Sequence, residues 1–254
     1  MPVFRDLLRP VKRRILGAAN RLGYDIVHLP DGAAAARDIR MRWIETLGID
    51  MVLDVGANEG QFVGWMRDRG FSGGIVSFEP QRAVFERCAS RWSKDPMWKG
   101  IHTALGEASA EITMNVAGNS VSSSLLPMLE SHVDALPESA IVATETVSVA
   151  RLDEAVLPYL AGAKSVFLKI DTQGYERPVL RGASAVLGRV NFIELEMSLV
   201  PLYEGQVLMP DMMKEVEALG FTPVALENGF ADPAAGRVLQ VDGLFVRSSM
   251  LEAR

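Results

Sequence analysis

One turn of the chain reads Leu53-Asp54-Val55-Gly56-Ala57-Asn58-Glu59-Gly60 and joins a short apolar run to a pattern typical of a helix. Gly56 and Gly60 let the backbone approach a ligand without a Cβ in the way. The dinucleotide fingerprint G-x-G-x-x-G is missing because Asn58 stands where the second glycine belongs, and no Gly-Lys-Ser/Thr of a phosphate-binding loop follows. A strand-end acid, Asp54, followed by such a turn favours a cationic amino-acid ligand over a pyrophosphate.

Apolar runs and helical patterns alternate along the chain from about Ile39. The alternation predicts an α/β fold in which a mainly parallel, doubly wound sheet is covered by helices on both faces. Ligands of such sheets bind beyond the carboxyl ends of the strands. The predicted strands are 51–55, 75–78, about 101–105, 111–116, 146–150, 165–170, 190–195, 221–226 and 239–246, and the predicted helices are 61–69, 81–93, about 176–187 and 211–219.

A second acid follows the next strand, in Phe78-Glu79-Pro80. An acid about 20 residues beyond a glycine turn is placed to bind the hydroxyls of a ribose with both carboxylate oxygens. Pro80 fits the first turn of the helix that follows. The alternative for Glu79 is a helix-capping or surface acid, but its pairing with the glycine turn favours ribose binding.

The chain resembles the FkbM family of methyltransferases from about residue 50 to 246. The most diagnostic segment is Leu168-Lys169-Ile170-Asp171-Thr172-Gln173-Gly174-Tyr175-Glu176. The other matching segments are Asp54 to Gly60, Phe78-Glu79-Pro80, Ala104-Leu105-Gly106, Val179-Leu180-Arg181-Gly182-Ala183, Glu194-Leu195-Glu196 and Leu202-Tyr203-Glu204-Gly205.

The resemblance implies a class I, Rossmann-like methyltransferase with a seven-stranded sheet that transfers the methyl group of S-adenosylmethionine, usually to a hydroxyl. It implies that Glu79 holds the ribose and that Ala104 and Leu105, at the end of the third strand, touch the adenine. Family acceptors are mostly sugar and polyketide hydroxyls, including sugars of bacterial glycolipids. The residues expected around the methionine end of the cofactor are Asp54, Gly56, Asn58 and Gly60.

Methyl transfer to an alcohol gains from a base beside the acceptor oxygen, and Asp171, at the end of the strand 165–170, is the predicted base. The alternative is a structural acid that caps the turn 172–175. A metal site is a further possibility, because Asp171, Glu194 and Glu196 offer the oxygen ligands that Mg²⁺ prefers. Against it, Glu194 and Glu196 share one face of their strand without an adjacent Asp-Asp or Asp-Asn pair.

The acceptor pocket is expected in two loops, about residues 115–139 and 201–211. Ser122-Ser123-Ser124 is a candidate for acceptor contact, although turn chemistry explains these serines equally well. Tyr203 is a candidate for the pocket wall. His132 is expected to be a solvated loop histidine, with a role as a base only if its loop closes over the acceptor.

The first 36 residues lie outside the resemblance and form a predicted basic, amphipathic helical extension, with the methyltransferase domain in residues 37–254. Phe4, Leu7, Leu8, Val11 and Ile15 recur at helical spacing among many basic residues. This helix is expected either to dock on the domain or to lie on an anionic membrane surface, which would suit a lipid-linked sugar acceptor.

Composition narrows the remaining classes of function. A net charge of −6 argues against a protein that binds nucleic acid through phosphate contacts. A single cysteine, Cys88, fits the cytoplasm, and peripheral contact with the inner membrane surface is possible. Oligomeric state is left open. The rival functions are a non-catalytic S-adenosylmethionine-binding partner subunit, a nicotinamide-dependent oxidoreductase, and an N- or C-methyltransferase with a small-molecule acceptor.

Overall fold

The computed structural model describes Arg21 and residues 38–252, and the chain divides into two units, Met1–Arg42 and Trp43–Arg254. The predicted basic helix of residues 1–36, with its expected membrane contact, therefore lies almost wholly outside the described residues. Every feature discussed below belongs to the second unit, except the start of the first described helix, Ile39–Thr46. No helix among the residues described has the length and apolar character needed to cross a membrane.

Seven strands form the main sheet: β1 Met51–Val55, β2 Gly74–Phe78, β3 Trp98–Ile101, β7 Val166–Ile170, β8 Val190–Ser198, β9 Phe221–Asn228 and β12 Gln240–Arg247. Their order across the sheet is β3-β2-β1-β7-β8-β12-β9. The five strands from β3 to β8 run parallel, and β12 runs antiparallel to both β8 and β9. The α/β, mostly parallel seven-stranded sheet predicted from the sequence is thus confirmed.

Burial explains why the central strands are apolar throughout. Every residue of β2 and β7 is buried, because helices of the α/β layers leave neither sheet face in water. The helices are α1 Ile39–Thr46, α2 Gln61–Asp68, α3 Arg82–Trp92, α4 Glu130–Ala135, α5 Leu152–Ala155, α6 Glu176–Arg181, α7 Met209–Ala218 and α8 Ser248–Glu252. Short 3₁₀ turns lie at Ser120–Ser122, Pro137–Ser139, Leu157–Tyr159 and Leu187–Arg189.

A second, three-stranded sheet corrects the prediction for the middle of the chain. The strand expected at 101–105 is two elements, because the chain leaves the main sheet after β3 and Ala104 pairs with Val149 instead. This sheet has the order β4-β6-β5, with β4 at Ala104–Leu105, β5 at Ala110–Ala117 and β6 at Ile141–Ala150. The residues expected at the end of the third strand therefore lie in this second sheet. A small hairpin, β10 Ala231–Asp232 with β11 Arg237–Val238, completes the strands.

The helix predicted over 176–187 is also shorter than expected, since α6 ends at Arg181. The next residue, Gly182, packs so tightly that an added Cβ would lie 2.0 Å from the Gly106 carbonyl oxygen. The backbone of this region is thus fixed by a close contact with the second sheet, which the helical pattern alone does not reveal.

Candidate active site

The sheet changes direction of winding at β1. From β1 the chain continues outward through β2 and β3 on one side, and β7 then joins β1 on the other side. A crevice opens at such a switch point, beyond the carboxyl ends of the two central strands. Here the ends of β1 and β7 are joined directly, because the Asp171 N–H donates to the Val55 carbonyl oxygen over 3.0 Å.

Gly56 is the residue that allows this close approach. Its φ of +83° lies in the left-handed region, and a Cβ at this position would lie 1.8 Å from the Asp171 carbonyl oxygen. Its N–H donates to the Phe78 carbonyl oxygen of β2 over 3.1 Å. The glycine turn therefore locks three strand ends together, and no other residue type fits.

A cavity of about 650 Å³, open solvent at its mouth included, lies over these strand ends. It brings together six of the residues predicted for the site. Its lining comprises Val55, Gly56, Asn58, Phe78, Glu79, Pro80, Gln81, Thr103, Ala104, Leu105, Met114, Ser120, Val121, Ser123, Ser124, Leu125, Asp171, Thr172, Gln173 and Tyr175.

Glu79 faces this cavity although its side chain is 4% exposed. Its two carboxylate oxygens accept the N–H of Asn58 at 2.9 Å and the N–H of Gln81 at 2.8 Å. Burial raises the pKa of Glu79 to about 7, against the lowering effect of these two bonds. A carboxylate has about four lone-pair positions, so two remain for hydroxyl donors of a ligand.

Asn58 links the glycine turn to the opposite wall of the cavity. Its backbone is left-handed, with φ +47°, which is uncommon for a residue with a side chain but least costly for Asn. Its side-chain amide donates to the Ser120 hydroxyl over 3.1 Å, and the Gln81 amide donates to the Ser120 carbonyl oxygen over 3.3 Å. The segment 120–125 is thus fastened to the end of the cavity that contains Glu79.

Asp54 and Gly60, two further residues predicted for the cofactor, do not line the cavity. Asp54 is fully buried; burial raises its pKa, while Lys169 and the hydroxyl of Ser77, which donates to it over 3.0 Å, act in the opposite direction. A Cβ on Gly60 would lie 2.4 Å from the indole nitrogen of Trp92. The structure accounts for the glycine at position 60 by this packing.

Asp171 lies at the carboxyl end of β7 with its side chain 38% exposed toward the cavity. One carboxylate oxygen is 3.3 Å from the Lys169 ammonium and the other accepts the Gln173 side-chain amide over 3.0 Å. Burial alone would lower the pKa of Lys169, but the charges of Asp171 and other acids raise it, so Lys169 stays protonated. Lys169 therefore pairs with two nearby acids, Asp171 and Asp54.

The proposed magnesium ligands do not converge in the described part of the chain. No group of three or more His, Cys, Asp or Glu side chains there is arranged to hold a metal ion. One oxygen of Glu196 instead accepts two side-chain amides, from Gln173 at 2.6 Å and from Gln240 at 2.7 Å, while Glu194 is buried beside Lys169 in the sheet register. Magnesium dependence stays a prediction.

His132 corrects an expectation. It is 1% exposed and packed between the rings of Tyr203 and Phe230, and burial lowers its pKa to about 4. The expectation of a solvated loop histidine is wrong because α4 folds inward here. His132 does not line the cavity and is no candidate base.

Some of the candidates for acceptor contact line the cavity and others lie behind its wall. Ser123 and Ser124 line the cavity, whereas Ser122 is buried behind it. Tyr203, expected in the pocket wall, is 1% exposed and stands behind the lining, with its hydroxyl 2.9 Å from the Ser122 carbonyl oxygen.

Sequence reasoning missed Gln81 and Gln173, whose amides reach into the cavity wall. The only signal for either is an amide two residues beyond a strand-end acid. In a single sequence this signal is weak, because amides are frequent in turns.

The family model described as methyltransferase FkbM domain matches residues 54–223, from the end of β1 to the start of β9. No curated protein matches the chain.

Several solved methyltransferase structures share a distant likeness with the chain. The magnesium protoporphyrin IX methyltransferase of Synechocystis PCC 6803 has 10% identity, with 86% of this chain and 81% of that chain covered and a TM-score of 0.46. The fibrillarin of Aeropyrum pernix has 13% identity, 78% and 66% coverage and a TM-score of 0.44. An rRNA methylase of Streptococcus thermophilus has 10% identity, 83% and 97% coverage and a TM-score of 0.44. These TM-scores are below 0.5, too low to support an argument about function.

Proposed function

The chain belongs to the FkbM family of S-adenosylmethionine-dependent methyltransferases, and on this premise we propose that it methylates a hydroxyl group of a sugar, free or lipid-linked, or of a polyketide-type product. The observation that carries the proposal is the Asp171 carboxylate, which faces the same cavity as five of the seven residues predicted to hold the cofactor. A hydroxyl acceptor needs a base at that place, whereas a neutral amine does not.

The described residues fit the cofactor. Glu79 retains two lone-pair positions for the ribose hydroxyls. Gly56 lets the ends of β1 and β7 come together at the cavity that both strands border. Ala104 and Leu105 supply an apolar surface for a flat base. When bound, S-adenosylmethionine supplies a methyl group already activated by its sulfonium.

The chain then has two tasks in the reaction. Positioning the acceptor oxygen close to the methyl group and in line with the bond that breaks supplies much of the rate. The Asp171 carboxylate accepts the proton that the hydroxyl loses, and its exposed oxygen edge allows the proton to pass to water. Lys169 beneath it balances the negative charge before the proton arrives.

The chemistry of the lining favours a neutral, hydroxylated acceptor. Among the described residues that line the cavity, only Glu79 and Asp171 carry charge, and both are acids. A phosphate or carboxylate on the acceptor would meet repulsion from them. Ser120, Ser123 and Thr172 offer hydroxyls that can both donate and accept hydrogen bonds, as sugar hydroxyls do.

The test has two stages. Calorimetric titration with S-adenosylhomocysteine is expected to show binding by the wild type and its loss in Glu79→Ala. The matched control is Glu107→Ala, since Glu107 is an exposed acid that pairs with Arg181 outside the cavity. No binding by folded wild type would contradict the cofactor assignment.

The second stage measures transfer of a labelled methyl group to neutral glycosides, polyketide alcohols, amines and phosphorylated sugars, each with Mg²⁺ and with EDTA. Transfer to neutral hydroxyls is expected. Transfer only to amines would indicate an N-methyltransferase, and cofactor binding with no transfer to any probe would favour a non-catalytic subunit. Activity lost in EDTA and restored by Mg²⁺ would establish metal dependence.

A further inference from the structure

Gln173 has an unusual backbone for a residue with a long side chain. It follows β7 in a turn where its φ is +54° and that of Gly174 is +95°. A left-handed conformation is strained for a residue with a Cβ. Such strain is found at functional sites, where surrounding contacts hold it in place.

Those contacts fix the amide of Gln173 in one orientation. Its nitrogen lies 3.0 Å from an oxygen of Asp171 and 2.6 Å from an oxygen of Glu196, so each N–H has one carboxylate as its acceptor. Its oxygen lies 2.9 Å from the Tyr203 hydroxyl. A flipped amide would set its oxygen against the Asp171 carboxylate, so the assignment of nitrogen and oxygen follows from the chemistry.

The backbone of Gln173 is fastened as well. Its carbonyl oxygen accepts the Ser124 hydroxyl over 2.7 Å, which ties the turn to the cavity wall. The carboxylate of Glu176 accepts the N–H groups of Thr172 and Gly174, both over 3.0 Å. The residue is therefore held by its own turn, by β8 and by two loops that are distant in sequence.

Together with Lys169, Gln173 holds the Asp171 carboxylate from two sides. Lys169 contacts one oxygen from within β7 and the Gln173 amide donates to the other, so rotation of the carboxylate would break one of the two contacts. Each oxygen keeps a lone pair for the acceptor. We propose that Gln173 is a positioning residue that fixes the orientation in which Asp171 receives the proton of the acceptor hydroxyl.

The role of Asp171 as a base rests on the proposed function, but the effect of Gln173 on the orientation of the Asp171 carboxylate can be tested without an acceptor. Gln173→Leu removes the amide, and Gln240→Leu is the matched control. Gln240 donates to the same oxygen of Glu196, at 2.7 Å, is 2% exposed and has no hydrogen bond to Asp171.

The first measurement is the crystal structure of each variant with S-adenosylhomocysteine. In Gln173→Leu the Asp171 carboxylate is expected to rotate or to occupy several orientations, while in Gln240→Leu it keeps the orientation of the wild type. An unchanged Asp171 in both variants would overturn the proposal. If Gln173→Leu does not fold, Gln173→Glu and Gln240→Glu, which keep the side-chain shape, give the same comparison.

The second measurement uses the hydroxyl acceptor with the highest activity in the transfer assay. For Gln173→Leu we expect kcat to fall between about 10- and 100-fold, the cost of a misplaced catalytic group, with KM for S-adenosylmethionine unchanged. In Gln173→Glu the acid side of the kcat–pH profile is expected to move to higher pH, because a third carboxyl joins Asp171 and Glu196. An equal fall of kcat in the Gln173 and Gln240 variants would show that Gln173 has only a packing role.

The two hypotheses fail in different ways. If no hydroxyl is methylated but the Asp171 carboxylate moves in Gln173→Leu alone, the proposed reaction is wrong and the positioning contact stands. If hydroxyls are methylated and neither the structure nor the pH profile changes, the positioning role is wrong and the reaction stands.

Discussion

The cavity has two halves that are built in different ways. In the cofactor half, Glu79 receives its two hydrogen bonds from residues 2 and 21 positions away along the chain. In the base half, Gln173 is tied to Ser124 across 49 residues and to Tyr203 across 30 residues. Under the proposed function, the carboxylate that holds the ribose thus depends on one turn and the next strand end, whereas the base depends on side chains gathered from four segments.

The difference predicts that damage to the two halves can be separated. A substitution at the base should lower the rate of methyl transfer and leave cofactor binding intact. A substitution at Glu79 should weaken cofactor binding and leave the base in place. The following variants test this separation, from the largest expected effect to the smallest.

Asp171→Asn is expected to have the largest effect on the reaction. It keeps the shape of the side chain and removes its ability to accept a proton, so kcat for a hydroxyl acceptor should fall by about 10²- to 10⁴-fold. The affinity for S-adenosylhomocysteine, measured by calorimetry, should change little. Asp211→Asn, at an exposed acid paired with Lys214, is the control. A nearly active Asp171→Asn would show that the acceptor needs no base, and would favour an amine.

Gly56→Ala is expected to damage both halves, because Gly56 lies where they meet. Its matched control is Gly70→Ala, since Gly70 has a φ of +85° but no atom within 4 Å of an added Cβ. The control should lose about 1–2 kcal/mol of unfolding free energy from backbone strain. Gly56→Ala should lose a further ~1–3 kcal/mol from the clash with the Asp171 carbonyl, together with cofactor binding. If denaturation shows the same loss of unfolding free energy in Gly56→Ala and Gly70→Ala, the ends of β1 and β7 can move apart to accept the added Cβ.

Glu79 and Glu176 form a matched pair for the dependence on pH. Each carboxylate accepts two backbone N–H groups, and burial raises the pKa of each to about 7, but only Glu79 lines the cavity. Ribose hydroxyls favour the ionised form of Glu79, so it must lose its proton on binding when the pH is below 7. The affinity for S-adenosylhomocysteine should therefore rise about tenfold from pH 6 to pH 8 and level off above.

Glu79→Gln should weaken binding and abolish this rise, whereas Glu176→Gln should retain it. Calorimetry in buffers of different ionisation enthalpy should detect proton release by the wild type at pH 6. A rise that persists in Glu79→Gln would assign the titration to another group.

The same contrast explains how much the sequence could reveal. The turn 53–60, the strand-end Glu79 and Asp171 were predictable because each depends on a local pattern and on the rule that parallel strands end at one edge. The second sheet was not, because Ala104 reads as a continuation of β3 until its pairing with Val149 is known. The sequence could not show that Gly56 lines the cavity and Gly60 does not, because the residue that packs on Gly60, Trp92, lies at the end of α3.

The base half could be predicted only in part, because it too depends on contacts between residues distant in sequence. His132 looks like a loop residue until the rings of Tyr203 and Phe230 are seen around it. The role of Gln173 requires the position of Glu196 on the neighbouring strand and of Ser124 in a distant loop. Contacts of this length are products of the tertiary fold, and local periodicity carries no signal for them.

Tyr203→Phe gives the smallest expected effect and the finest test of the comparison. It removes one hydroxyl, which lies 2.9 Å from both the Ser122 carbonyl and the Gln173 amide oxygen. Loss of this contact should lower the unfolding free energy by about 1 kcal/mol. The rate should fall only a few-fold, because the two N–H groups of Gln173 still bind Asp171 and Glu196.

The control is Tyr159→Phe, because Tyr159 packs against the main core and its hydroxyl makes no hydrogen bond within the described residues. It should be nearly neutral in both stability and rate. If Tyr203→Phe lowers kcat as much as Gln173→Leu does, the orientation of the amide must depend on its oxygen end, and the base half would be one cooperative network. If it lowers stability alone, the two carboxylates suffice to orient the amide, and Tyr203 serves only to close the wall behind the cavity.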